Sequence, residues 1–380
     1  MVTVFSAPTE RETDIYARLG VRTIINARGA TTAVGGTLPP PEVMAAMAEA
    51  AKAFVVLDEL NAVVGEKIAA ATGAAAGYVT CGSAAGMLLA AAACITGTDI
   101  ARIRRLPDTT GMPNEIIVHR AHRINYDQMF RAPGARLVEI GIPSATERWE
   151  YEAAFTERTA AVAFVDSPSI GPGALDFATV VEVAHARHVP VIVDAASTVP
   201  PVSHLTRWIA GGADLVIYSG GKGIRGPQDS GLLAGRADLI AAAKINGNPN
   251  AGIGRAAKVS KEAMVGLAVA LDRFMAHDHD ADFAAHRAQA ELIAHELADF
   301  PNAACAVIAD PERYPMPVAV VRPVGGAWSA PTVRATLAAG DPGIFVNVEH
   351  GGIGINTHCL REGDAEQIAT RLRALLRTMV

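Results

Sequence analysis

From about Ile68 to Gly235 the sequence alternates short, continuously apolar, β-rich runs with stretches that read as helix. The runs are GYVTC, EIIVH, RLVEI, AAVAFVD, VPVIVDAA, ADLVIYS and SGLLAG, and the helical stretches include 83 to 96 and 176 to 188. Strands that are apolar on both faces and separated by helices predict an α/β fold with a mostly parallel sheet covered on both sides. In such a sheet the ligand binds beyond the carboxyl ends of the strands, so the chemistry is sought there.

After Gly235 the pattern changes. A long helical stretch, roughly 258 to 299, reads as a connector, and beyond Pro301 the strand candidates ACAVIA, PVAVVRP, IFVNVE and GIGINT alternate with helical segments near 331 to 339 and 364 to 378. This predicts a small C-terminal α+β domain. The first sixty residues hold a Gly/Thr/Pro-rich loop, INARGATTAVGGTLPPPEV, followed by a helix from about Pro41. The expected organisation is an N-terminal arm and helix over 1–60, a large domain over 61–257, a connecting helix over 258–300 and a small domain over 301–380.

Composition narrows the function classes. With 380 residues and 50% hydrophobic content the chain can bury a large core. Charged residues make up 19% and the formal net charge is -6, so nothing draws the whole molecule to nucleic acid or an anionic membrane. Cys81, Cys94, Cys305 and Cys359 lie far apart without CxxC or Cys/His spacing, which predicts reduced thiols and neither a metal site nor a disulfide framework. The opening residues lack the basic start and apolar run of a secretory leader, so a cytoplasmic location is expected. The apolar run GMLLAAAACITG is too short to span a bilayer.

Four elements carry candidate chemistry. In ADLVIYSGGKGIRGPQDSGLLAG, Lys222 follows a β-rich run and sits between glycines that let other groups approach. A desolvated lysine there can act as an uncharged nucleophile, as imine chemistry requires, although a solvated turn lysine fits the same pattern. In VPVIVDAAS, Asp194 ends an apolar strand, where a buried carboxylate needs a positive partner such as a protonated pyridine nitrogen. The alternative is an Asp that caps the next helix. In TCGSAAGM a strand end runs into a helix whose first N–H groups are free for a phosphate, which makes Gly82, Ser83 and Ala84 candidates, with Ser219 as a further hydroxyl. In HRAHRINYDQMF, after the strand EIIVH, His122 is preferred over His119 as a ring that lies on a pyridine face; a surface histidine between arginines is the alternative.

The stretches INARGATTAVGG, TCGSAAGMLLAAAA, VHRAHRINYD, VIVDAAS, SGGKGIRGPQDSGLLAGR and GRAAKVSKEAMVGLAVAL together resemble the fold-type I pyridoxal 5′-phosphate (PLP) enzymes. Within them the chain is similar to the selenocysteine synthase and D-glucosaminate-6-phosphate ammonia-lyase branch, over most of its length. The resemblance implies a large domain of the PLP-dependent transferase, aspartate aminotransferase type. It also implies PLP held by Lys222 as a Schiff base, with Asp194 on its ring nitrogen, His122 on its face and the turn from Gly82 to Ala84 at its phosphate. A homodimer or larger oligomer, with active sites at subunit interfaces, is a further implication.

The expected activity is an α,β-eliminating lyase of ammonia-lyase type that converts a small amino acid or amino-sugar acid to a 2-keto product. Other PLP chemistry on the same constellation, by a racemase, aldolase or aminotransferase, stays open. A seryl-tRNA selenium transferase is disfavoured, because that group carries an additional N-terminal tRNA region and this net-negative chain has no basic stretch. The substrate carboxylate calls for a bidentate cation, and Arg28, Arg225 and Arg255 lie in loops that the resemblance brings near the site. The phosphate loop reads CGSAAG, a departure that leaves its side-chain contacts open.

Overall fold

A computed structural model of the chain describes residues 15–167, 170–310 and 316–379. Residues 1–14, on which the expectation of a missing leader rests, lie outside them. The described chain divides into two compact units, one of residues 15–34, 281–310 and 316–379, the other of residues 35–280.

After a short helix, Ile15–Arg18, comes strand β1 (Ile24–Ala27), and strands β2 (Ala76–Thr80), β3 (Glu115–His119), β4 (Arg136–Ile140), β5 (Thr159–Val165), β6 (Val191–Asp194), β7 (Leu215–Ser219) and β8 (Gly231–Gly235) follow. Strands β2 to β8 form a seven-stranded sheet in the order β2-β8-β7-β6-β5-β3-β4. Strand β8 pairs antiparallel with both β2 and β7, while every other pairing is parallel. All seven expected runs are strands of this sheet. Their near-continuous apolar character has a physical cause in period-two alternation. Val162, Phe164, Val191, Val193, Val216 and Tyr218 enter one core with Val64 and Ile68. Ala161, Ala163, Ile192, Leu215 and Ile217 enter a second core on the opposite face, with Met87 and Leu89.

In the other unit, β9 (Ala303–Ile308), β10 (Val318–Pro323), β11 (Gly343–Glu349) and β12 (Gly352–Asn356) form a five-stranded sheet with β1, in the order β1-β11-β12-β10-β9. The helices Ala330–Ala339 and Asp364–Arg377 add Val333, Leu337, Ile368, Leu372 and Leu376 to its core.

Two boundaries differ from the sequence reading. Residues 24–27 are not part of an arm: β1 pairs in parallel with β11, Ile24 opposite Gly343 and Ala27 opposite Val346. The expected connector is two helices, Lys261–Ala276 and His279–Glu296. The first buries Met264, Leu267, Leu271 and Phe274 in the core of residues 35–280, and the second buries Ala290 and Ile293 in the core of the other unit. Each helix is therefore a core element, and the units divide near 34 and 280 rather than at 60, 257 and 300. Among the described residues no helix is long and apolar enough to cross a membrane.

Candidate functional site

The candidate residues of the larger unit gather at the carboxyl ends of its strands. Asp194 closes β6 between β5 and β7, opposite Val165 on one side and Ile217 on the other. It is only 5% exposed. Its Oδ1 accepts the Ala196 N–H at 3.1 Å, and among the described residues the carboxylate has no further hydrogen bond and no ion pair. Burial pushes its pKa up to about 6 and the nearby Asp166 charge adds to this, against the Ala196 N–H and the Lys222 charge.

Lys222 lies in the loop between β7 and β8. Gly220 N–H donates to Ser230 O at 2.9 Å, Gly226 N–H to Gly220 O at 2.8 Å, and Arg225 N–H to Lys222 O at 2.9 Å. The Thr37 hydroxyl is within 3.1 Å of Gly221 O and 3.2 Å of Lys222 O, so the end of the N-terminal glycine-rich loop braces the lysine loop. Flanking glycines are required here: a Cβ on Gly221 would stand 2.5 Å from the Gln228 Cα, and one on Gly223 would stand 1.9 Å from Val199 O. The Lys222 side chain is half-buried, and its amine makes no hydrogen bond or ion pair among the described residues. Burial holds its pKa below the ordinary lysine value, opposed by the charge of Asp194. Lys222 is thus half-buried, not the fully solvated turn lysine that the sequence also allows.

The turn at Gly82, Ser83 and Ala84 opens the helix Gly82–Thr96, whose N-cap residue Cys81 supplies no side-chain hydrogen bond. The first N–H groups of that helix have no intrahelical acceptor. Gly82 has a φ of +73°, which favours glycine. Across the sheet Thr80 pairs with Gly231 and Gly231 with Ser219, so Ser219 stands two strands, or about 10 Å, from the end of β2 that feeds the turn. The buried Ser219 and the half-buried turn therefore flank the same stretch of the sheet edge.

His119 ends β3 and His122 closes the 3-10 turn Arg120–His122. Both are buried, at 0% and 2% exposure, so neither is a surface histidine. His122 Nδ1 accepts the Val165 N–H at 3.2 Å and His119 Nε2 accepts the Leu175 N–H at 3.2 Å. Burial lowers the pKa of His119 to about 4; burial and the neighbouring His119 lower that of His122 to about 3. Both rings are neutral at physiological pH, and His122 carries its proton on Nε2. The His122 ring meets Phe164 edge to face at 4.5 Å between centroids.

The three arginines fall in different settings. Arg28 follows β1 in the other unit and its Nε donates to Asn347 Oδ1 at 3.3 Å. Arg255 is exposed, donates to Asn248 Oδ1 at 2.9 Å and borders an open pocket of about 610 Å³ with Arg104 and Lys258. Arg225 shares the loop of Lys222 and is half-buried. Two further residues were not singled out from the sequence. Asp166 donates its backbone N–H to Asp194 O at 2.8 Å and its carboxylate pairs with Arg207; it follows an apolar strand just as Asp194 does, the signal that found Asp194. Thr37 carries no such signal.

Comparison with known proteins places these features in context. The family model described as SelA: L-seryl-tRNA selenium transferase matches residues 24–286. The chain is 36% identical over 379 residues to D-glucosaminate-6-phosphate ammonia lyase of Salmonella typhimurium (strain 14028s / SGSC 2262), covering 95% of this chain and 98% of that protein. It is 34% identical over 373 residues to 5'-C-glycyluridine monooxygenase-decarboxylase of Streptomyces sp, covering 95% and 92%. A solved structure of D-glucosaminate-6-phosphate ammonia-lyase matches with a TM-score of 0.84 at 35% identity, over 96% of this chain and 99% of that one.

Proposed function

The chain belongs to the SelA: L-seryl-tRNA selenium transferase family and is a fold-type I enzyme with pyridoxal 5′-phosphate as cofactor, and from that premise we propose that it is an ammonia-lyase acting on an amino acid or amino-sugar acid. The observation that carries this reading is a pair of uncommitted groups at one sheet edge: the second carboxylate oxygen of Asp194 and the amine of Lys222, neither bonded among the described residues. Such a pair suits the cofactor. A pyridinium N–H is the donor that the buried Asp194 oxygen lacks, Lys222 offers the amine for covalent attachment, the N–H groups of Gly82, Ser83 and Ala84 with the Ser219 hydroxyl would hold the phosphate, and His122 would lie against the ring.

The chemistry that pyridoxal phosphate supplies when bound is an electron sink for negative charge developing at the substrate α-carbon. Asp194 keeps a negative charge at the ring nitrogen, where it favours the protonated ring. Lys222, whose pKa burial holds below the ordinary lysine value, would take the proton from the substrate α-carbon. Neutral His122 adds no charge beside the ring. An arginine clamps the substrate carboxylate and fixes which α-carbon bond faces the lysine. Departure of the β-substituent then leaves an enamine that water converts to a 2-keto acid and ammonia.

The likeness to D-glucosaminate-6-phosphate ammonia lyase over 95% of the chain supports elimination on a sugar-derived substrate. We further propose a homodimer or larger homo-oligomer in the cytoplasm; the consecutive exposed residues Phe54, Val55 and Val56 support the assembly. The test of the activity incubates the PLP-loaded enzyme with D-glucosaminate 6-phosphate and with D- and L-serine. Ammonia and 2-keto acid released in equal amounts from one of them support the proposal. Carbon dioxide release with oxygen uptake, as the name of the Streptomyces relative describes, overturns it.

A further inference from the structure

Thr37 is a buried threonine, 4% exposed, and its hydroxyl oxygen stands 3.1 Å from Gly221 O and 3.2 Å from Lys222 O. The first carbonyl belongs to the peptide that enters Lys222 and the second to the peptide that leaves it. One hydroxyl therefore touches both peptide planes that fix the direction in which the Lys222 side chain departs. Lys222 O also accepts the Arg225 N–H at 2.9 Å, whereas Gly221 O has no second hydrogen bond among the described residues. A buried carbonyl that loses its donor is costly, so without the Thr37 hydroxyl the peptide ahead of Lys222 gains by turning away.

Thr37 is itself held on both sides. Pro39, Pro40 and Pro41 follow it, each with a fixed φ, and Pro41 opens the helix Pro41–Ala50, which buries Val43 in the core with Val64 and Leu267. Before it, Gly36 has a φ of +71°, and a Cβ there would run into the Gln228 side chain. A Cβ on Gly221 would stand 2.5 Å from the Gln228 Cα. Gln228, from the GPQ segment of the lysine loop, thus fills the gap between Gly36 and Gly221, and Thr37 closes the joint beside it. Building on the PLP-enzyme reading above, we propose that Thr37 is a positioning residue for Lys222. Its hydroxyl holds the two peptides around Lys222 so that the amine is presented to the aldehyde carbon of PLP. It acts through the lysine main chain, so it governs covalent attachment and not the grip of the rest of the site on the cofactor.

The test mixes PLP with the cofactor-free full chain and follows the growth of visible absorption as the Lys222 amine and the PLP aldehyde form a C=N bond and release water. Calorimetry alongside measures binding of pyridoxamine 5′-phosphate, which carries an amine in place of the aldehyde and cannot attach. Thr37→Val keeps the side-chain volume and removes the donor; it is expected to slow attachment roughly tenfold, the scale of one buried hydrogen bond, while binding pyridoxamine 5′-phosphate within about twofold of the wild type. Thr37→Ser, which keeps the hydroxyl, restores the attachment rate to within about threefold. Thr37→Cys, whose thiol donates weakly, falls between the two and carries the test if the valine variant does not fold. Attachment as fast in the valine or cysteine variant as in the wild type overturns the proposal, and so does a serine variant that does not recover. Pyridoxamine 5′-phosphate affinity that falls in step with attachment overturns it too, since Thr37 then shapes the pocket as a whole. A wild type that develops no visible absorption with PLP instead sinks the cofactor reading on which the proposal rests.

Discussion

Asp194 and Lys222 are legible in the sequence because each stands where an apolar run stops, and a charge at that point needs a reason. Their coupling is not legible, since it depends on strands β6 and β7 lying side by side. Asp194 has a folded pKa of about 6 against an ordinary value of 3.8. The folded chain without cofactor thus holds a proton that the unfolded chain has released, and the stability this contributes is present below about pH 4 and lost as pH rises through 6. The loss amounts to about 3 kcal/mol above that window. Asp194→Asn removes it, so thermal melts of the cofactor-free proteins should show the variant more stable at pH 8 and equal to the wild type near pH 4. The same variant binds PLP more weakly, because the ring nitrogen loses its partner. A melting difference that stays constant across pH would contradict the buried-carboxylate account. Arg225 shows the limit of the sequence at this scale: its residue type is visible, while its left-handed backbone and orphaned Nε follow from a loop closed by Gly220, Gly226 and Ser230.

At the scale of elements, the strands of the large sheet were readable because both faces are buried, so each strand is a short apolar run with a polar stop. Strand β1 escaped because four residues, IINA, sit in a glycine-rich stretch and pair with β11, more than three hundred residues away; no local pattern encodes that register. The lysine loop escaped differently. Its glycines were visible, but the reason for each is a contact with another part of the fold. Gly223 has Val199 O where a Cβ would go, at 1.9 Å, whereas Gly73, the left-handed C-cap of the helix Leu57–Thr72, has open space around its Cβ position. Gly73→Ala is expected to cost about 1 kcal/mol from backbone strain alone. Gly223→Ala forces the loop from Val199 and is expected to cost more than about 2 kcal/mol and to lower PLP occupancy. Denaturant titration with cofactor absorbance checks both; equal costs, with cofactor retained, would show that the loop yields without moving Lys222.

At the scale of the whole molecule, an α/β sheet and a separate α+β sheet follow from where apolar runs begin and end, but the split between units does not. The helical stretch 258–299 looks continuous because both of its faces are rich in Ala and Leu, and only the burial of Phe274 in one core and Ile293 in the other reveals two helices with different loyalties. The cofactor assignment draws on the larger unit, where the carboxyl ends of β3, β5, β6 and β7 carry His119, Asp166, Asp194 and Ser219 within one edge. The central claim is that Lys222 is the residue that holds PLP there. The direct measurement is borohydride reduction of the PLP-loaded protein, followed by proteolysis and peptide mass spectrometry, with Lys222→Ala in parallel. The account predicts a pyridoxyl group on the peptide containing Lys222 and none in the variant; a pyridoxyl group fixed on a different lysine in the wild type would contradict it.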